Sequence, residues 1–285
     1  MLCLRVEEIR MSPAATITYR LLDGKQRNQQ RSVSSALITD QLQRLAEDGF
    51  LALPASIPDS RRVRLLAAID DLAARVDAGK VADCEPGGEF FRDLMLHNEA
   101  FTELMTDPLL VDPARAMLGP QVRLRSMTCR NNRSRGGGNP GIGWHIHQRG
   151  ASEPCPPWFS PLQGLDCLHY LDECSSANGA VALIPGSHRD PQMHLTCDQS
   201  DHPNQQFLEL PAGSLLLMHP NIWHRGLPGR QDDSRRRLLI VSFVPSWYRW
   251  SPHDRQDRSV WLSRMAAQWQ DDPERLELLG IGGYT

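Results

Sequence analysis

Around Gly119-Pro120 the hydrophobic period of this chain changes, and that change restricts the fold more than any other feature. Upstream, apolar residues recur at helical spacing. Leu42 and Leu45 mark a helix that Thr39 caps and Gly49 ends, before a strand over Phe50–Leu53. Val63, Leu66, Ile69, Leu72 and Val76 share one face of a second helix over 59–78. A third helical region runs over 90–118, punctuated by Pro108 and Pro113, and Gly119-Pro120 stops it. From Val122 onward the chain alternates with a period of two, as strands do. Val122–Arg130, Gly164–Leu171, Ala180–Ile184, Phe207–Leu210, Ser214–Met218 and Leu238–Val244 are the strand segments, and Asn178-Gly179 reads as the turn of a hairpin. Many short strands behind a few helices predict a mainly β protein with flanking α-helices, a sandwich or jelly roll.

The organisation is economical. No internal repeat, low-complexity tract or linker breaks residues 37–250, which read as one domain. A polar, weakly patterned extension over 1–36 precedes it, and a charged helical tail over 251–285 follows, with its helix across 258–279. Met11 offers a second start, which would make residues 1–10 an extension of the reading frame. The net charge of −3 and a pI near 6.4 give no electrostatic reason to expect nucleic acid or a membrane surface. No apolar run approaches the ~20 residues of a membrane span. Seven cysteines, an odd number without a CxxC pair or a secretory h-region before them, predict reduced thiols in a cytoplasmic protein.

The chemistry concentrates in two segments, Trp144-His145-Ile146-His147 and Trp223-His224, the latter followed by Arg235-Arg236-Arg237. Imidazoles at i and i+2 of an extended strand point to the same side and can grip one ion. A third histidine from a distant strand closes one face around it and leaves positions open, as non-heme iron catalysis requires. His219 and His224 differ in strand parity, so at most one faces the site squarely, and the arginines downstream favour His224. Arg236 begins an alternating run through Phe243. Buried, it would need a carboxylate partner, which a guanidinium binds bidentately. Arg235 and Arg237 share the opposite parity and are expected to face solvent. Asp166, His169 and Tyr170 sit on a strand that can line the pocket, with alternation admitting about half of them. Ser187, Ser160 and Cys155 lack the context of a nucleophile, so a hydrolase is a weak reading.

Together these segments resemble the phytanoyl-CoA dioxygenase family of iron(II)- and 2-oxoglutarate-dependent oxygenases over about residues 37–250. Leu37 through Phe50 is similar to the family's first helix and strand, and Asn178-Gly179-Ala180 through Pro185-Gly186-Ser187-His188 to its characteristic turn. Trp144-His145 matches the first metal-ligand site. His224-Arg225-Gly226-Leu227-Pro228, followed by Arg236, matches the distal histidine and the oxoglutarate-binding arginine. The resemblance implies a double-stranded β-helix (jelly roll, cupin-like), Fe(II) held by His145, His147 and His224, and 2-oxoglutarate anchored by Arg236. It also implies molecular oxygen and a small-molecule substrate, oxidised at an unactivated carbon, with hydroxylation in specialised metabolism as the expected reaction. Counting from the distal histidine would select Arg235 instead of Arg236; counting back along the strand selects Arg236, because a strand in register tolerates no insertion. Trp144 is a further candidate beside the cofactor. Arg130, Asn132 and Gly137, the last in a Gly136-Gly137-Gly138 loop suited to a lid, border the substrate. The chain departs from the family at His147, where His-x-Asp becomes His-x-His. A small residue there would admit halide, but histidine is bulky and itself a ligand, which disfavours halogenation. Two alternatives stay open: a three-histidine dioxygenase that does not use 2-oxoglutarate, and a non-catalytic binding protein that keeps the fold.

Overall fold

The computed structural model describes residues 15–22, 28–35, 37–80, 90–133, 141–147, 163–229, 235–248 and 256–281. In chain order these form β1 (Ala15–Leu22), β2 (Asn28–Ser35), α1 (Thr39–Asp48), β3 (Phe50–Leu53), α2 (Asp59–Asp77), β4 (Phe90–Phe91), α3 (Glu99–Leu104), α4 (Pro108–Leu118) and β5 (Val122–Arg133). They continue with β6 (Ile142–His145), β7 (Leu165–Tyr170), β8 (Val181–Leu183), β9 (Gln206–Leu208), β10 (Ser214–Met218), β11 (His224–Gly226), β12 (Arg235–Pro245), α5 (Gln256–Gln268) and α6 (Pro273–Leu278).

The strands make two antiparallel sheets, one ordered β3-β10-β7-β12-β5-β4 and one ordered β6-β11-β8-β9. Strand alternation assigns each side chain to a layer. On β7 and β12, Cys167, Leu239 and Val241 point to a core shared with Leu65, Ile69 and Leu72 of α2, Leu110 and Ala114 of α4, and Trp261 and Met265 of α5. The opposite parity, Leu168 and Tyr170 with the flanking Leu238 and Ile240, meets Val181, Leu183 and Leu208 of the smaller sheet. The large sheet is therefore buried on both faces, and the space between the sheets is the interior of an antiparallel jelly roll with helices packed outside it.

Several sequence expectations change in detail. The first residue outside α1 is Ile38, not Thr39; its N–H donates to the Gln41 side chain (3.1 Å), while Gly49 ends the helix at φ 82° as expected. On α2 the buried face is Leu65, Ala68, Ile69, Leu72 and Ala73, and Val63 is exposed. The region 90–118 holds β4, a 3-10 turn and two helices, because Asp107 caps a new helix and Pro108 occupies its first turn, where no N–H is needed. β7 and β8 lie in different sheets, so Asn178-Gly179 belongs to a crossing between sheets and not to a hairpin. The 1–36 extension contains the β1–β2 ladder, clasped to α4 by the Tyr19 hydroxyl, which donates to the carbonyls of Arg115 and Ala116 (3.0 and 2.8 Å). The tail is two helices, with Asp272 capping α6. Among the described residues no helix is long and apolar enough to cross a membrane.

Candidate metal centre

β11 is the second strand of the smaller sheet, and His224 stands directly opposite His145 on β6 and Leu183 on β8. Residues opposite one another in an antiparallel pair share a face. Leu183 faces the sheet-sheet interior, so both histidines do too. His147 lies just past the end of β6, where its N–H donates to the Pro220 carbonyl (2.7 Å) and the backbone keeps it on the same side. The ring centroids are 4.2 Å apart for His145 and His224, 4.9 Å for His147 and His224, and 5.5 Å for His145 and His147. One ring nitrogen from each of the three lies within 4.8 Å of the others.

The hydrogen bonds fix which nitrogen that can be. Nδ1 of His145 meets the Gly143 carbonyl (2.9 Å), Nδ1 of His224 meets the Ile222 carbonyl (2.9 Å), and Nδ1 of His147 meets the Asp166 carboxylate (2.6 Å). None of those oxygens carries a proton to give, so each Nδ1 is the donor and each Nε2 keeps a lone pair. Burial, reinforced by the repulsion that a proton on each of two neighbouring rings would meet, pushes the His145 ring down to about 4 and His224 well below the ordinary histidine range. Both are neutral at physiological pH, as ligands must be.

Behind His147, Asp166 is 1% exposed on β7. Burial alone would raise its carboxyl, but the His147 ring, a hydrogen bond from Ser242 and the Arg125 charge outweigh that and hold it below the usual carboxylate range. Alternation admits about half of Asp166, His169 and Tyr170 to the pocket without choosing among them; the structure turns Asp166 and Tyr170 inward and buries His169 on the helix side, opposite Leu215 and Leu239. What sequence reasoning missed is that Asp166 touches His147. No local pattern signals that contact, because it joins Asp166 of the larger sheet to a residue just past the end of β6 in the smaller one.

Arg236 opposes Asn132 on β5 and is 5% exposed, on the interior face. Its Nε has no hydrogen-bond partner among the described residues. Two glycines make room for it: a Cβ at Gly179 would stand 2.8 Å from Nη1, and one at Gly226 3.3 Å from Nη2. Arg235 and Arg237 point the other way, as parity requires, but not to open solvent. Arg235 reaches Asn131 (3.0 Å) and Asp70 (2.6 Å), and Arg237 binds Asp172 (2.6 Å) and Asp70 (3.2 Å), because α2 covers that face. Arg235 is therefore turned away from the centre and does not fit the cofactor contact considered for it.

Trp144 is a second correction. It immediately precedes the inward His145 on β6, so alternation turns it outward, into a cluster with Ala182, Ile184 and Trp223. Its indole N–H donates to the Ser200 carbonyl (2.8 Å) and the Arg225 guanidinium lies 5.0 Å above the ring. Arg130 opposes the inward Leu238, sits 4.2 Å over the Phe90 ring and is near enough to His145 to depress it further; Asn132 flanks Arg236 on the same wall. Gly137 and its loop lie outside the described residues. His219 pairs with His188 (centroids 4.8 Å) beside Gly49, apart from the three converging rings.

The chain matches the phytanoyl-CoA dioxygenase (PhyH) family over residues 45–237. It is 29% identical over 164 residues to an ectoine dioxygenase of Bordetella parapertussis, covering 55% of this chain and 51% of that protein. It is also 29% identical over 165 residues to a probable alpha-ketoglutarate-dependent hypophosphite dioxygenase of Stutzerimonas stutzeri, covering 51% of this chain and 53% of the other. The chain thus spans about half the length of the curated relatives it matches. HygX from Streptomyces hygroscopicus, solved with nickel and 2-oxoglutarate bound, shares the fold at a TM-score of 0.60 and 17% identity, over 75% of this chain and 89% of HygX. With two thirds of its length inside the family's domain and the same jelly roll beneath it, this chain belongs to the phytanoyl-CoA dioxygenase family.

Proposed function

We propose that the chain is an Fe(II)- and 2-oxoglutarate-dependent oxygenase that oxidises an unactivated carbon of a small molecule, by hydroxylation, with molecular oxygen as the second substrate. The observation that carries this reading is the convergence of three imidazoles, each with Nδ1 tied to an acceptor and Nε2 left as a lone pair toward the other two. Bonds of about 2.1 Å to one ion would place facially arranged nitrogens about 3 Å apart, a small closing rotation from their present spacing. His145, His147 and His224 would hold the metal on one face and leave the opposite face for co-substrate and oxygen.

The fit to a dicarboxylate is equally specific. Arg236 is a buried guanidinium with donor capacity unused, in a cradle that side chains at 179 and 226 would fill. A buried charge of this kind calls for an anion. Gly226 follows His224 by two residues on β11, about 7 Å along the strand, which suits the reach of a five-carbon dicarboxylate spanning metal and arginine. The bound iron would supply the oxygen and one-electron chemistry. The chain's residues orient the co-substrate through Arg236, border the substrate with Arg130 and Asn132, and exclude water with the apolar wall of Leu168, Leu183, Leu238 and Ile240. The named oxygenases among its relatives support the same activity. Cys129, Cys167 and Cys174, buried and unpaired, support a reducing compartment such as the cytoplasm.

The test is metal analysis of protein purified without oxygen, followed by succinate release and oxygen uptake over a broad substrate panel. Wild type should carry stoichiometric iron, and His145→Ala or His224→Ala should lose it. Full metal content in both variants would move the site elsewhere. Oxygen uptake without succinate would favour a dioxygenase independent of 2-oxoglutarate.

A further inference from the structure

The metal set proposed above lacks a carboxylate, yet a carboxylate stands directly behind it. Asp166 is almost fully buried, and a buried carboxylate must be held by donors. Its donors are the Nδ1–H of His147 at 2.6 Å and the hydroxyl of Ser242, which opposes it across the β7–β12 ladder. A contact of 2.6 Å is at the short, charge-assisted end of the range. Arg125 closes the arrangement: its charge acts on Asp166 while its guanidinium donates to the His147 carbonyl (3.2 Å).

The three histidines are not equivalent in this respect. His145 and His224 are strand residues, fixed by the β6–β11 ladder and oriented by backbone carbonyls. His147 lies beyond the last ladder position, so its ring takes its direction from Asp166. We infer that Asp166 is the positioning residue of this centre: it holds the His147 ring with Nε2 toward the metal and returns, one hydrogen bond further out, the negative charge that a His-x-Asp site carries on the ligand itself. A metal-bound imidazole whose other nitrogen donates to a carboxylate becomes a stronger donor. Residues 147 and 166 then form one unit, in which a histidine-aspartate pair replaces a lone aspartate. It follows that restoring the family motif at 147 alone would set two carboxylates against each other in a buried space.

This inference rests on the proposed metal site, and the experiment separates the two. Metal-free full-length protein is titrated with Co(II) by calorimetry, for wild type, Asp166→Asn, His147→Asp and the double variant. Wild type should bind one Co(II). Asp166→Asn should weaken binding about 10- to 100-fold, the usual effect of removing such an outer partner. In the His147→Asp background the same change should instead strengthen binding, because it removes the clash of carboxylates. A wild type that takes up no Co(II) overturns both the site and this role. Wild-type binding with unchanged affinity in Asp166→Asn, or a change of equal sign and size in both backgrounds, sinks the role alone. Histidine-ring nitrogen NMR of the unmutated protein with Zn(II) gives an answer that needs no variant to fold. His147 should appear protonated at Nδ1 and shifted at Nε2 by the metal, and the opposite assignment overturns the inference.

Discussion

The contrast between Arg235 and Arg236 tests the orientation of β12 and the proposed co-substrate pocket in one measurement. Arg236 is 5% exposed and its cradle is closed by Gly179, Gly226 and Asn132, so water has little room to replace a lost guanidinium. Truncating one partner of a buried, hydrogen-bonded charge pair costs about 2 to 5 kcal/mol. At 1.4 kcal/mol per decade, Arg236→Ala should raise the Kd for 2-oxoglutarate between about 30- and about 4,000-fold. Arg236→Lys should fall between wild type and alanine, because a point charge remains but the planar fork is lost. Arg235→Ala removes bonds to Asn131 and Asp70 on the α2 side and should leave the Kd within about twofold, since partly exposed ion pairs contribute ~0–1 kcal/mol and this one does not reach the pocket. The assay is anaerobic calorimetric titration of 2-oxoglutarate into the Ni(II)-loaded protein, with the folded fraction checked by thermal melting. An Arg236→Ala Kd within twofold of wild type, or a larger loss in Arg235→Ala, would refute the reasoning.

Two further perturbations probe the same architecture from other directions. Gly226→Ala places a methyl 3.3 Å from Nη2 of Arg236 and 3.8 Å from the next nearest atom. It should therefore weaken 2-oxoglutarate about 5- to 10-fold, the low end of an overpacking penalty, while the melting temperature stays nearly constant; unchanged affinity would show that the guanidinium does not need that space. His169, 2% exposed beneath the helices, has its ring pushed down to about 4 by burial, so the unfolded chain binds a proton at higher pH than the folded one. Its contribution is intact above pH 6.5 and is lost as pH falls toward 4, up to about 3 kcal/mol at 1.36 kcal/mol per unit. Urea denaturation of metal-free protein at pH 7.5 and 4.5 should show His169→Gln losing less stability across that interval than wild type, and parallel losses would contradict this.

The sequence made the second half of the chain easier to read than its connections. β10 and β12 alternate or run apolar with turn residues at both ends, so their existence and parity were legible, and parity alone separated Arg236 from its neighbours. The His145–His224 pairing was implied by residue type but not by any local pattern, because β11 is three residues long and its partners come from distant segments. Alternation could admit Asp166 to the pocket but did not choose it over His169, and its contact with His147 depends on two sheets meeting, which no periodicity encodes. Trp144 was misjudged because it adjoins a proposed ligand in sequence, although adjacency on a strand sends neighbours to opposite faces. The β1–β2 ladder escaped notice because its side chains are mostly polar. It is anchored through Tyr19 and through Arg31, which pairs with Glu277 of α6 (2.8 Å).

The position of β12 has a consequence for biosynthesis. It lies inside the six-stranded sheet, between β7 and β5, and β3 at the edge waits for β10. Val122–Arg133 therefore leaves the ribosome well before Arg235–Pro245, the strand that pairs with it along its length. At ordinary elongation rates that interval is on the order of ten seconds. During it, the edges of β5 and β7 that β12 comes to fill have no strand to pair with, and β5 has only β4 and the upstream helices as native neighbours. A topology dominated by such long-range pairings folds slowly once complete. Recombinant yield will thus depend on what shelters the nascent chain, and slower translation at low temperature or added chaperone should raise soluble protein more than any change of buffer after lysis.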